Sequence, residues 1–144
     1  MNRIEPFALW IGHGGEEANL APIYEAGIEA IVVLAGEEPP FSSPRELITC
    51  RVPLIDGGGN PPERLGLAVQ LVTTLVEAKV PTLVCCGAGM SRSPAVAAAA
   101  LARVFGGALT GWLERVAEHH PSDVSSALWA DLVAQESHSI GPAT

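Results

Sequence analysis

Residues 82–94 read Thr-Leu-Val-Cys-Cys-Gly-Ala-Gly-Met-Ser-Arg-Ser-Pro, and they constrain this chain more than any other stretch. The apolar run Thr82 to Cys86 reads as a buried strand. A tight loop of small residues follows, and Pro94 then opens an alanine-rich helical segment. A strand, a glycine loop and a helix start in that order gather backbone N–H groups and the positive end of a helix dipole at one point, which makes an anion cradle. Cys86 stands at its mouth and Arg92 at its far rim. A nucleophile and a bidentate oxyanion clamp facing one pocket point to phosphoryl transfer through a covalent cysteine intermediate.

The composition narrows the field further. At 144 residues the chain suits one domain with one core. It is 48% hydrophobic and 17% charged, a globular rather than a disordered balance. No apolar stretch reaches 18 residues, so no membrane span is expected. The first residues carry no basic segment followed by an apolar one, so no secretory signal is expected. The net charge is −8 and the basic residues are scattered, which argues against nucleic acid or an anionic membrane as partner. Cys50, Cys85 and Cys86 make an odd set with two adjacent. That is not a disulfide framework; it suits a reducing cytoplasm and a catalytic thiol. No Cys/His set has zinc spacing, and neither metal nor cofactor is expected.

Along the chain, strands are predicted over 7–11, 28–35, 47–52 and 81–86. Helices are predicted over 16–26, 63–79, 93–105, 109–119 and 125–136. Leu65, Ala68, Val69, Val72, Leu75 and Val76 share one face of the second helix, with Glu63 and Lys79 suiting its dipole. Pro94 suits the first helical position of the next helix, and Gly106 and Gly107 lie past its end. Asp123 or Ser125 suits the cap of the last helix. Residues 36–46 and 56–62 read as loops, and 137–144 as a frayed tail. Strands alternating with helices imply a single α/β domain over 1–144, with a central, mostly parallel sheet of four to five strands flanked by helices. The loop then lies at the carboxyl end of a central strand, where such sheets place ligands.

Only a thiolate attacks phosphorus. The helix N-terminus, the loop amides and Arg92 all favour negative charge at Cys86. Ser93 can place a hydroxyl near the sulfur. Gly87 and Gly89 permit positive φ and close approach of backbone to oxygen. Cys86-Gly-Ala-Gly-Met-Ser-Arg-Ser93 resembles the signature loop of the cysteine-based dual-specificity phosphatases, within the protein tyrosine phosphatase superfamily. Leu9-Trp-Ile-Gly12, the segment Gly27 to Ala35, and Pro121 to Leu132 are similar to further parts of that family.

The resemblance implies a phosphatase II-like fold and a metal-independent, two-step hydrolysis. Cys86 attacks phosphorus, a cysteinyl-phosphate forms, Arg92 and the amides of Gly87, Ala88, Gly89, Met90 and Ser91 hold the oxygens, and water releases phosphate. Ser93 assists the sulfur. The substrate would be a phosphorylated protein or a small phosphomonoester. The family's usual histidine before the nucleophile is Cys85 here, which bears on how strongly Cys86 is activated. Strand alternation turns Cys85 into the core, and Cys50 is also expected to pack there. Some relatives protect the nucleophile with a second cysteine.

A leaving alkoxide needs a proton. The resemblance assigns the acid to Asp56, within Ile55-Asp-Gly-Gly-Gly-Asn60, and its glycines permit a mobile loop. A turn-initiating aspartate is the plain alternative; Glu63 is the alternative acid, with a ready role at its helix start. The short segment before the first strand and the uncharged loop favour a shallow site over a tyrosine-only or inositol phospholipid site. Three other readings are open: a pseudophosphatase that captures phosphoproteins, an enzyme of small phosphorylated metabolites, and arsenate reduction or sulfur transfer on a similar loop. The loop's late position and Asp56 disfavour the last. His119 and His120 read as a solvated helix end, His13 has no evident partner, and Trp10, Trp112 and Trp129 read as core or rim packing.

Overall fold

The computed structural model describes residues 1–16, 19–37 and 46–139, with the side chains of 138 and 139 outside that description. The strands are β1 (Asn2–Arg3), β2 (Leu9–His13), β3 (Ala30–Ala35), β4 (Ile48–Leu54) and β5 (Thr82–Cys86). They form one five-stranded sheet in the order β1-β2-β5-β3-β4. β1 runs antiparallel to β2 and every other pairing is parallel. The helices are α1 (Ala21–Glu25), α2 (Pro62–Glu77), α3 (Arg92–Phe105), α4 (Leu109–His119) and α5 (Ser126–Ser139). This is the single α/β domain read from the sequence.

β5 is the middle strand, and all five of its residues are buried, as are all six of β3. Strands covered on both faces need continuous apolar runs, and these two have them. The larger core cluster joins Ile11, Val32, Leu34, Val84 and Cys86 to apolar residues of α2, α3, α4 and α5. The smaller one, on the opposite face, joins Ile23, Ile28, Ile31, Val33, Leu83 and Cys85. α3 packs against β5, α2, α4 and α5, and Arg92 through Ala102 are all buried. Its alanines allow that close approach on every side.

Several boundaries differ from the sequence reading. β2 starts at Leu9 and β3 at Ala30, two residues later than predicted, while β4 runs on through Pro53 to Leu54. A proline is tolerated there because β4 is an edge strand. β1 went unread because two exposed polar residues carry no alternation. The predicted helix over 16–26 is only Ala21–Glu25, and residues 17 and 18 lie outside the described set. α2 ends before Lys79, which takes a left-handed φ of 59° beyond the cap at Ala78, so Lys79 does not serve the last turn. α3 begins at Arg92, which makes Pro94 its third residue rather than its first. Gly106 caps α3 with φ 79° and ψ −178°, a positive-φ backbone that is not the left-handed helical cap but is still one that glycine favours. α5 continues to Ser139, three residues into the segment read as frayed; 140–144 lie outside the described residues, as do 38–45 of the predicted loop. Among the described residues no helix is long and apolar enough to cross a membrane.

Candidate active site

The alternation of β5 separates its two cysteines. Cys85 enters the smaller cluster with Ile31, Val33 and Leu83, as the sequence predicted. Cys86 faces the opposite way, towards α3, and lines a cavity of about 190 Å³ with Asp56, Ala88, Met90, Ser91, Arg92 and Asp123. Cys50 is half-buried on β4, not enclosed in the core as expected, and none of the three cysteines forms a disulfide among the described residues. An edge strand leaves one side of such a residue uncovered.

The loop after Cys86 is pinned by its carbonyls. Gly87 O accepts from Gly14 N at 3.1 Å, and Met90 O accepts from Asp123 N at 2.8 Å. Gly89 O accepts from His120 Nε2 at 2.6 Å. In a planar trans peptide the carbonyl of one residue and the N–H of the next point in opposite directions. The amides of Ala88, Met90 and Ser91 therefore point away from the partners of those carbonyls. Of the two loop glycines, Gly89 takes positive φ, +73°. A Cβ there would also stand 2.7 Å from Gly12 O, so only glycine fits. Ser91 precedes the first turn of α3, and its Oγ accepts from Ser125 N at 2.9 Å.

Arg92 is 5% exposed. Its Nη1 donates to Glu37 Oε2 at 2.9 Å and to Leu54 O at 3.0 Å, and its Nη2 donates to Glu37 Oε1 at 2.6 Å. Glu37 stands just past β3, with a side chain 57% exposed. The Arg92 bond holds the Glu37 carboxyl well below its usual range, at about 2. In return the Glu37 bond, and after it the charges of Cys86 and Asp56, raise the Arg92 pKa against the opposing effect of burial. Among the described residues, two buried side-chain polar atoms lack a hydrogen-bond partner: Arg92 Nε and Ser93 Oγ. Both belong to the first turn of α3, and Arg92 shares the cavity with Cys86. A buried donor left unpaired costs about 1–3 kcal/mol.

Asp56 lines the Cys86 cavity and also an open cavity of about 450 Å³ on the far side of Arg92. The buried Asn60 closes its loop into a ring. Ile55 N donates to Asn60 Oδ1 at 2.7 Å, and Asn60 Nδ2 donates to Ile55 O at 2.9 Å and to Gly57 O at 3.3 Å. The glycines thus serve a held turn rather than an open loop: Gly57 and Gly59 have φ of 159° and 96°. Glu63 is exposed in the first turn of α2 and lines neither cavity.

Sequence reasoning missed Glu37, Asp123 and His120. It placed His120 in solvent; it is 8% exposed, and burial lowers its pKa from the usual histidine value. Its neighbour His119 is partly exposed, its Nδ1 at 3.0 Å from Arg115 O. His13 does have partners: its Nδ1 accepts from Gly15 N at 3.0 Å and its Nε2 lies 3.4 Å from Glu16. Ser125 is the cap of α5, its Oγ accepting from Leu128 N at 3.4 Å. Trp10, Trp112 and Trp129 are half-buried against the core clusters.

The chain has the fold of the dual-specificity and tyrosine phosphatases, the class that the loop resembles. Human DUSP28 superposes with a TM-score of 0.83 at 24% identity over 96% of each chain. A mouse protein described as a dual specificity phosphatase, solved with zinc tungstate, gives 0.83 at 27% identity over 95% of this chain and 86% of its own. The human tyrosine phosphatase-like serine/threonine/tyrosine-interacting protein gives 0.82 at 19% identity over 98% of each chain, a likeness of fold alone. No protein-family model and no curated protein matches the sequence.

Proposed function

We propose that this protein hydrolyses phosphomonoesters through a cysteinyl-phosphate intermediate. One observation carries the reading: Cys86, Asp56 and Arg92 line the same small cavity, and Arg92 keeps a buried Nε without a protein partner. The mouse neighbour's complex with tungstate, a tetrahedral oxyanion, supports an oxyanion site on this fold.

The Cys86 thiolate attacks phosphorus as the bond to the leaving oxygen breaks. Asp56, in its acid form, gives that oxygen a proton. Arg92 holds equatorial oxygens with Nε and one free Nη N–H, while Glu37 fixes the outer edge of the guanidinium. The amides of the loop bind the remaining oxygens. Water then attacks phosphorus, Asp56 takes its proton, the P–S bond breaks, and inorganic phosphate leaves with the thiolate restored. The Ser93 hydroxyl donates to the sulfur, which stabilises it as nucleophile and as leaving group. A free thiolate of this kind suits a reducing cytoplasm. Phosphorylated proteins and small phosphomonoesters present the same dianion to the loop, and both are proposed substrates.

The test is hydrolysis of para-nitrophenyl phosphate in EDTA and reductant, by wild type and Cys86→Ser. Metal-independent turnover lost by at least about 10³-fold in the variant is the expected result. A folded wild-type protein that binds vanadate without turnover would overturn hydrolysis in favour of phosphate capture.

A further inference from the structure

His120 is a buried titratable group that the proposed chemistry leaves unused, and its two ring nitrogens are both engaged. Nε2 lies 2.6 Å from Gly89 O, and Nδ1 lies 2.9 Å from Asn2 Nδ2. An amide NH2 only donates, so Nδ1 must accept. The ring proton then sits on Nε2 and donates to the Gly89 carbonyl. The tautomer is set by a residue of β1, at the far edge of the sheet, and the bond reaches a loop 31 residues away in sequence.

That bond acts on one peptide plane. With Gly89 O drawn outward to His120, the N–H of Met90 points the other way, into the cavity that Met90 lines with Cys86 and Arg92. On the β2 side the backbone is closely packed, since Gly12 O stands 2.7 Å from where a Cβ of residue 89 would lie. Asp123 N and Ser125 N hold the next two residues from the same segment as His120. In an uncharged loop, where backbone dipoles do most of the anion binding, the aim of each amide counts.

We infer that His120 is a positioning residue that aims the Met90 amide at the bound phosphate through Gly89 O. This rests on the oxyanion site proposed above, and the test separates the two. The chain has two methionines, Met1 and Met90. Met1 is the N-terminal amine, which gives no amide signal. Protein labelled with 15N-methionine therefore shows a single amide cross-peak, that of Met90.

Vanadate is titrated into wild type, His120→Gln and His120→Asn while that peak is followed, and each thermal midpoint is recorded. A Gln amide nitrogen reaches the place of Nε2; an Asn amide nitrogen reaches only that of Nδ1. The Met90 peak is expected to shift in wild type and in H120Q, with vanadate Kd values within about threefold of each other. In H120N the shift should shrink and Kd should rise by about tenfold, with KM for para-nitrophenyl phosphate rising alongside. A folded H120N with wild-type shift and Kd would overturn the inference and leave the oxyanion site standing. Vanadate binding that leaves the wild-type Met90 peak unmoved would overturn it too, whatever the variants do. A wild-type protein that binds no vanadate would overturn the site itself.

Discussion

α3 carries an arginine near each end, and each is forked against a glutamate. At the C-terminal end, Arg103 Nε and Nη2 donate to Glu136 Oε1 and Oε2, both at 2.7 Å, and Nη1 donates to Gln70 Oε1 at 3.0 Å. Every nitrogen of that guanidinium has a protein partner, and it ties α3 to α5 and α2. At the N-terminal end, Arg92 meets Glu37 with its two Nη atoms only, and Nε is left buried without a partner. The same two residue types make a brace in one place and a half-filled clamp in the other. The difference lies in which edge of the guanidinium the carboxylate takes. An end-on pair fixes the group and leaves the Nε edge open; a side-on pair occupies it.

The comparison breaks if editing both arginines has the same consequence. The largest expected effect is on turnover. Arg92→Lys keeps the charge but loses the planar fork, and kcat/KM should fall by about 10³-fold with little change in thermal midpoint. Equal loss of stability and activity would make Arg92 a second brace. Glu136→Ala should do the reverse, leaving Arg103 uncompensated beside a buried site. Glu136 is 1% exposed, and breaking a buried pair of this kind costs about 3 kcal/mol, read by urea denaturation. Its KM for para-nitrophenyl phosphate should stay within about twofold of wild type.

Glu37→Gln sharpens the contrast. Because Glu37 is more than half exposed, solvent screens the pair, and the loss should be only about 1 kcal/mol, or about fivefold in kcat/KM. The pH dependence has a definite sign. The folded carboxyl is held at about 2 against an ordinary value of 4.5, so the pair's contribution is complete above about pH 4.5 and fades as pH falls towards 2. Wild type and E37Q should therefore share the same activity profile between pH 5 and 7, and divergence there would assign Glu37 a different role. The smallest effect concerns the paired cysteines. Cys85→Ala removes a sulfur from the smaller core and should cost about 1 kcal/mol with turnover intact; loss of vanadate binding instead would tie Cys85 to the loop.

Much of this was legible from local pattern. The continuous apolar runs of β3 and β5, the one-sided apolar face of α2 and the glycines after α3 are short-range signals. The separation of Cys85 from Cys86 follows from the period of a strand, and the place of the loop follows from the strand before it and the helix after it. Asp56 was placed only by resemblance. Where local reading failed, it failed over backbone turns and burial. Lys79 sits beyond α2 because the chain turns there in a left-handed conformation, and His120 reads as a solvated helix end until the loop after Cys86 is seen to lie against it.

The sequence by itself determined the chemistry available at the loop: a thiol, a guanidinium and a run of small residues at the end of a buried strand, all within nine positions and so brought together by local geometry. The tertiary structure decided what surrounds them. Glu37 reaches Arg92 across 55 residues and His120 reaches Gly89 across 31. Neither pairing leaves a periodic mark, because each depends on which strands are neighbours in the sheet and on where α4 delivers the chain. Order in the sheet, β2-β5-β3, sets Glu37 on one side of β5 and the β2 turn on the other. That order is fixed by packing the whole core at once, and no short stretch of residues encodes it.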